Sequence, residues 1–261
     1  MKNNIALCFF TSTKGHYDIR SRFKETVVNI NLQVPIRDFC CAVAHIKITP
    51  GEQDIADDMQ KTLESYGFQV EKTTADWRHA DQSHQSEYLK DIKRIFNLKE
   101  VQACEYALFQ EDDITIHPRK HDLRYYLYKS TSILKNNTDV ISVRIPRASN
   151  ERERINKLKQ KHGIFSKTAD SDEKELYFFA SDFSNNPHLI RPRDMRNALI
   201  LMERHPQSFM QHSEMGLGPA IKYFSYSDMP IAIFNPDQIV GRHIGVIDEQ
   251  REDPNKEYYS D

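Results

Sequence analysis

Through its first 146 residues the chain switches repeatedly between two hydrophobic periods, and this alternation narrows the fold more than any single motif does. Apolar runs of strand length occur at Ile5–Thr11, Asp38–Lys47, Phe68–Thr73, Tyr106–Gln110 and Asp139–Ile145. Between them, apolar residues return every three or four positions: Phe23, Val27 and Ile30 in the segment Ile19–Leu32, and Ile55, Met59, Leu63 and Tyr66 in Ile55–Tyr66. The first period is that of a strand and the second that of one helix face. Two further helices are predicted over Ser86–Cys104 and Pro118–Leu134, with Pro118 suited to a first-turn position because its φ is fixed and it has no N–H to leave unsatisfied. Strands apolar enough to be covered on both faces, alternating with helices, predict a parallel sheet in the order β-α-β-α-β-α-β-α-β.

The pattern then breaks. Arg147 to Lys167 carries seven Lys or Arg against two Glu and has no apolar stripe able to build a core. Structure resumes with a strand at Leu176–Ala180, a loop at Ser181–His188, a short strand at Leu189-Ile190, helices over Pro192–Glu203 and Leu217–Phe224, and a last strand at Ile231–Phe234. With 261 residues, 39% of them hydrophobic, one large core is expected. The reading is an α/β fold with a Rossmann-type mixed, mostly parallel sheet flanked by helices. It forms one domain over residues 1–247: a first half 1–146, a polar basic insertion 147–175 and a second half 176–247. The charged segment 248–261 is a tail that buries too little to order by itself.

A net charge of -2 and a pI near 6.6 give no global attraction to nucleic acid or to an anionic membrane. The four cysteines, Cys8, Cys40, Cys41 and Cys104, show no Cys-x-x-Cys spacing, so zinc and disulfide readings are weak and a reduced, cytoplasmic protein is expected. No segment approaches the ~20 apolar residues of a bilayer span.

Chemistry concentrates where strands end. Glu111-Asp112-Asp113 follows Tyr106-Ala107-Leu108-Phe109 directly. Three adjacent carboxylates repel one another, and a hard cation such as Mg2+ or Mn2+ relieves that repulsion. After the first strand, Thr11-Ser12-Thr13-Lys14-Gly15-His16 offers hydroxyls, a Lys and a Gly that can wrap a nucleotide, and equally the residues of a strand-to-helix connection with a cap. Arg20 and Arg22, just inside the following helix, are candidates to reach a diphosphate, with a solvated helical face as the alternative. Asp76-Trp77-Arg78 is a nucleoside-contact candidate, with a packed Trp as the alternative. Phe183-Ser184-Asn185-Asn186-Pro187-His188 combines amides and an imidazole suited to sugar hydroxyls, or a turn. The basic group Arg152, Arg154, Lys157, Lys159 and Lys161 suits a phosphorylated, lipid-linked acceptor or a solvated face.

The TSTKG loop after the first strand, the parallel α/β half and the EDD after an apolar strand together resemble a GT-A glycosyltransferase over residues 1 to about 245. The resemblance implies Mn2+ or Mg2+ held by an Asp-x-Asp-like motif against the diphosphate of a nucleotide sugar. Asp113, helped by Asp112, would ligate the cation, and a late histidine, His243 between Gly241 and Gly245, would join it. Glu111 stands where the family has Asp; its extra methylene leaves the division of roles within the triplet open. Thr11, Thr13, Lys14, Arg20, Asp76, Glu111 and Asp112 would hold the nucleotide and diphosphate. Glu214, just before a predicted helix, would be the acceptor-activating base, or merely a helix-capping carboxylate. His212, Asn185, Asn186 and His188 would face the acceptor, a glycan or glycolipid hydroxyl. Two other readings stay open: a metal-dependent nucleotidyl or phosphoryl transferase, and a non-catalytic carbohydrate- or nucleotide-binding protein of the same fold.

Overall fold

The computed structural model describes residues 4–13, 19–75, 83–146, 177–180, 183–209, 216–225, 227 and 230–244. The predicted insertion 147–175 and tail 248–261 lie outside the described residues. The first half runs β1 (Ile5–Ser12), α1 (Ile19–Gln33), a 3-10 turn (Ile36–Asp38), β2 (Cys41–Ile48), α2 (Gln53–Ser65), β3 (Gln69–Thr74), α3 (Ser83–Phe96), α4 (Lys99–Gln102), β4 (Tyr106–Glu111), β5 (Ile114–Pro118), α5 (Leu123–Asn136) and β6 (Ser142–Arg144). The second continues with β7 (Tyr177–Ala180), β8 (His188–Ile190), α6 (Pro192–Arg204), α7 (Leu217–Ser225), β9 (Ile231–Phe234) and β10 (Ile239–His243).

Eight strands form one mixed sheet in the order β3-β2-β1-β4-β8-β6-β9-β7. β3, β2, β1 and β4 are parallel, β6 and β9 run with them, and β8 and β7 run against them. The predicted α/β class with a mostly parallel mixed sheet is therefore the observed one. Strand β1 shows how it is covered. Ile5, Leu7 and Phe9 pack on one face with Phe23, Val27 and Ile30 of α1, while Ala6, Cys8 and Phe10 pack on the other with Ile92, Ile95 and Phe96 of α3 and with Met195 of α6. A strand buried on both faces has to be apolar at every position, which is why the run was readable. Gly67, at φ +95, turns the chain from α2 into β3: its N–H donates to Glu64 O (2.9 Å) and that of Phe68 to Leu63 O (3.2 Å), the left-handed helix stop that glycine accommodates without strain.

Several boundaries differ from the sequence reading. The helix predicted to begin at Pro118 begins at Leu123, and Pro118 instead ends β5. The cap is Asp122, whose Oδ1 accepts from Tyr125 N at 2.8 Å. A proline without an N–H terminates a strand ladder as readily as it opens a helix, and the Asx cap was the stronger signal. The single helix predicted over Ser86–Cys104 breaks into α3 and α4, the predicted strand Asp139–Ile145 shrinks to Ser142–Arg144, and Asp38 falls in the 3-10 turn before β2. β5 and β10 were not foreseen. They leave the main sheet and pair antiparallel with each other, Ile114 opposite His243 and Ile116 opposite Gly241.

Gly241 is where β10 passes closest to its neighbours. A Cβ there would stand 2.8 Å from Ile114 Cγ2, 3.6 Å from Pro146 O and 3.9 Å from Pro187 Cδ. The β-branched Ile114 has little rotamer freedom with which to yield. Gly241→Ala is expected to lower stability by about 1–3 kcal/mol through overpacking, read as a lower urea midpoint; an unchanged midpoint would mean that β10 shifts freely.

Candidate functional site

From β1 the chain moves outward to β2 and β3, then returns to place β4 on the other side of β1. The strand order thus reverses between β1 and β4, and ligands of open α/β sheets bind beyond the carboxyl ends of strands at such a point. Thr11-Ser12-Thr13 ends β1 and Glu111-Asp112-Asp113 ends β4, so the two segments chosen from sequence meet there.

The triplet is the tight turn between β4 and β5. Gln110, wholly buried, staples it: its amide donates to the carbonyls of Glu111 and Ile114, both at 2.6 Å. Asp112 N donates to Phe10 O (3.1 Å), and the Thr26 hydroxyl of α1 donates to Asp112 O (2.7 Å). The Thr11 hydroxyl donates to Asp112 Oδ2 at 2.5 Å. Burial, with the neighbouring Asp113 charge, raises the Asp112 carboxyl to about 6, against the opposing pull of Thr11 and of Arg22 on α1. Asp112 therefore fastens the turn to β1.

Glu111 accepts from the Tyr88 hydroxyl of α3 at 2.5 Å. The Tyr88 phenol is raised well above its ordinary range, first by burial and then by Glu111, Asp113 and Asp112. The half-buried Tyr88 thus lies within electrostatic reach of all three adjacent carboxylates. All its donors are hard oxygens, the chemistry that suits Mg2+ or Mn2+. Among the described residues, no three His, Cys, Asp or Glu side chains form a metal-holding group.

The last strand reaches the same place. β10 pairs with β5 so that His243 stands opposite Ile114, and Ile244 N donates to Asp113 O at 2.6 Å. The backbone of His243 is thereby brought beside the acidic turn, although the two are far apart in sequence. The loop before β8 arrives at the same sheet end, because β8 is antiparallel to β4. Pro187 O accepts from Ile145 N (2.8 Å), and Pro146 O from Gly241 N (2.7 Å). Asn185 and Asn186 are mostly buried there.

His188 is fully buried as the first residue of β8. Its ring stacks on Phe109 (4.8 Å between centroids) and meets the edge of Phe183 (5.1 Å), and Nδ1 lies 2.8 Å from Asn186 O. Burial pulls its pKa down to about 4, helped by nearby Arg144, so the imidazole is neutral. An acceptor contact was expected of it; the structure places it as an aromatic member of the core. Thr13 is also occupied internally, its hydroxyl accepting from Thr49 N at 2.7 Å. Arg20 lies in the first turn of α1. Lys14, Asp76, His212 and Glu214 lie outside the described residues.

A second polar group stands beside this one, at the carboxyl ends of β2 and β3. Buried Asp91 of α3 meets His45 Nε2 (3.3 Å), Lys47 Nζ (3.0 Å) and the Thr73 hydroxyl (3.1 Å). Its carboxyl stays low despite burial, because His45 and Lys47 more than offset desolvation. This network binds α3, and with it Tyr88, to the sheet.

Tyr88, Thr26 and Gln110 were not foreseen as site residues. A lone Tyr and a lone Thr on helices carry no spacing signal, and only the fold brings Tyr88 and Thr26 to the carboxylates; Gln110 adjoins them in sequence, but its role depends on its burial. No family model matches the sequence, and no curated protein matches it significantly. Among the described residues, no helix is long and apolar enough to cross a membrane.

Proposed function

We propose that this protein is a divalent-metal-dependent glycosyltransferase of the GT-A kind its sequence resembles, moving a sugar from a nucleoside-diphosphate sugar to a hydroxyl of a glycan or glycolipid. The observation that carries the reading is the acidic turn at the point where the strand order reverses, with the end of β10 hydrogen-bonded to it through Asp113 O. Asp113, helped by Asp112 and Glu111, would hold Mn2+ or Mg2+, each of the latter two being oriented by a hydroxyl, from Thr11 and Tyr88 respectively. The cation, when bound, offsets the negative charge that grows on the departing diphosphate. The chain's own contribution is positional. Tyr88 fixes the Glu111 carboxylate, Gln110 and Thr26 hold the turn against β4 and α1, and β5–β10 pairing delivers the residue-243 region to the same edge. Glu214 is the candidate base that would take the acceptor proton.

The internal engagement of Asp112 favours a second reading, a protein of this fold that binds nucleotides or sugars without turnover. One set of measurements separates the readings. Under the first, manganese raises the melting temperature in the presence of a nucleoside diphosphate, a ligand at 100 times its dissociation constant adding ~2.7 kcal/mol, and incubation with nucleotide sugars and an acceptor releases nucleoside diphosphate. Asp113→Ala is expected to abolish the manganese-dependent shift while leaving the ligand-free melting temperature nearly unchanged. Binding without release supports the non-catalytic reading, and release of pyrophosphate supports nucleotidyl transfer. No manganese-dependent binding of any nucleoside diphosphate would sink the proposal.

A further inference from the structure

Two of the four cysteines, Cys41 and Cys104, meet although they lie far apart in sequence. Burial and then the nearby Cys41 raise the Cys8 thiol, and burial and then Cys40 and Cys41 raise that of Cys104. Cys41 opens β2 and pairs with Ala6 of β1; Cys104 follows α4 and precedes β4, whose Tyr106 pairs with Ile5. Their sulfurs approach to 3.9 Å, van der Waals contact, at the sheet end opposite the acidic turn. Cys104 is 5% exposed, Cys41 is half-buried and the adjacent Cys40 is exposed. All four are free thiols in this structure.

We propose that Cys41 and Cys104 form a reversible intramolecular disulfide, a modification site that straps the start of β2 to the α4–β4 connection when a small-molecule disulfide is present. The Cys41 thiolate attacks one sulfur of that reagent, whose S–S bond breaks; a mixed disulfide forms and the first reagent thiol leaves, taking up the proton Cys41 gave away. The Cys104 thiolate then attacks the Cys41 sulfur, and the second reagent thiol leaves with the remaining proton. Two protein thiols are oxidised by two electrons and the reagent is reduced to two thiols. The sulfurs have to close from 3.9 Å to the ~2 Å of an S–S bond, by side-chain rotation with backbone adjustment, because β2 and β4 lie on either side of β1. The inference is independent of the transferase reading, because it concerns the other end of the sheet.

The two residues are 63 apart in sequence, so the bond removes much of the unfolded chain's freedom, and the melting temperature is expected to rise by roughly 5–10 °C. The test treats the full chain with dithiodipyridine, followed by intact mass and peptide mapping. Expected are a loss of two hydrogen masses with no retained reagent at this pair, a linked Cys41–Cys104 peptide, the higher melting temperature, and reversal of all three by dithiothreitol. Cys40→Ser should behave like the wild type in forming the bridge. A bridge mapped to Cys40, reagent adducts on Cys41 without closure, or only disulfide-linked dimers would each overturn the proposal, and the wild-type map decides this whether or not any variant folds.

Discussion

A His188→Phe protein is expected to gain about 2 kcal/mol of stability between pH 6.5 and about pH 4.5, where the wild type changes little. His188 keeps its imidazole neutral to about 4 in the folded state, against 6.5 in an ordinary environment. Between those values the unfolded chain binds the proton and the folded one does not. Stability from this group is therefore fully present above 6.5 and drains away as the pH falls toward 4, at up to about 1.4 kcal/mol per pH unit. Phenylalanine keeps the aromatic contact with Phe109 and Phe183 but cannot be protonated, so the acid penalty disappears. What remains is the opposite linkage of Asp112. The readout is the slope of unfolding free energy from urea titrations across this pH range, which is insensitive to any constant loss from the larger ring. A variant as flat as the wild type would show that His188 is not held neutral by burial.

Asp112→Asn should do the reverse, losing about 2 kcal/mol over the same acidification. The Asp112 carboxyl is raised to about 6 from 3.8. Here the folded state holds the proton and the unfolded one does not, so the group contributes nothing below about 3.8 to the cost of folding, and burdens the folded state increasingly as pH rises to 6. Above that the burden is of the order of 3 kcal/mol. Asparagine keeps an acceptor for the Thr11 hydroxyl and removes the buried charge, so the variant should be more stable than wild type near pH 8 while exposing the His188 acid lability. Asp91 and Glu87, both held low by hydrogen-bonded partners, are the same in wild type and variant, so their own acid loss cancels from the difference. If Asp112→Asn were instead less stable at pH 8, the carboxylate would be anchored by favourable charge interactions stronger than its burial.

Much of the fold was legible because doubly covered strands such as Ile5–Ser12 have to be apolar throughout, and helices such as α2 have to repeat every three to four residues. The acidic turn and the strand end at Thr11-Ser12-Thr13 were legible for a different reason: polar clusters directly after apolar runs mark strand ends. β5 and β10 were invisible because each is five residues long and is stabilised by a partner more than a hundred residues away. His188 looked like a loop imidazole because its burial between Phe109 and Phe183 depends on β8 pairing with β4, which no local pattern encodes.

By itself the sequence determined the class of fold, the identity of most strands and helices, and the position of the acidic turn at a strand end, since periodicity and burial act along the chain. Only the tertiary structure decided which groups face one another there. It joined Thr11 to Asp112, Tyr88 to Glu111 and the end of β10 to Asp113, and it brought Cys41 against Cys104 at the other end of the sheet. Those pairings are set by strand order and register, and register is fixed by how whole elements pack rather than by neighbours in sequence.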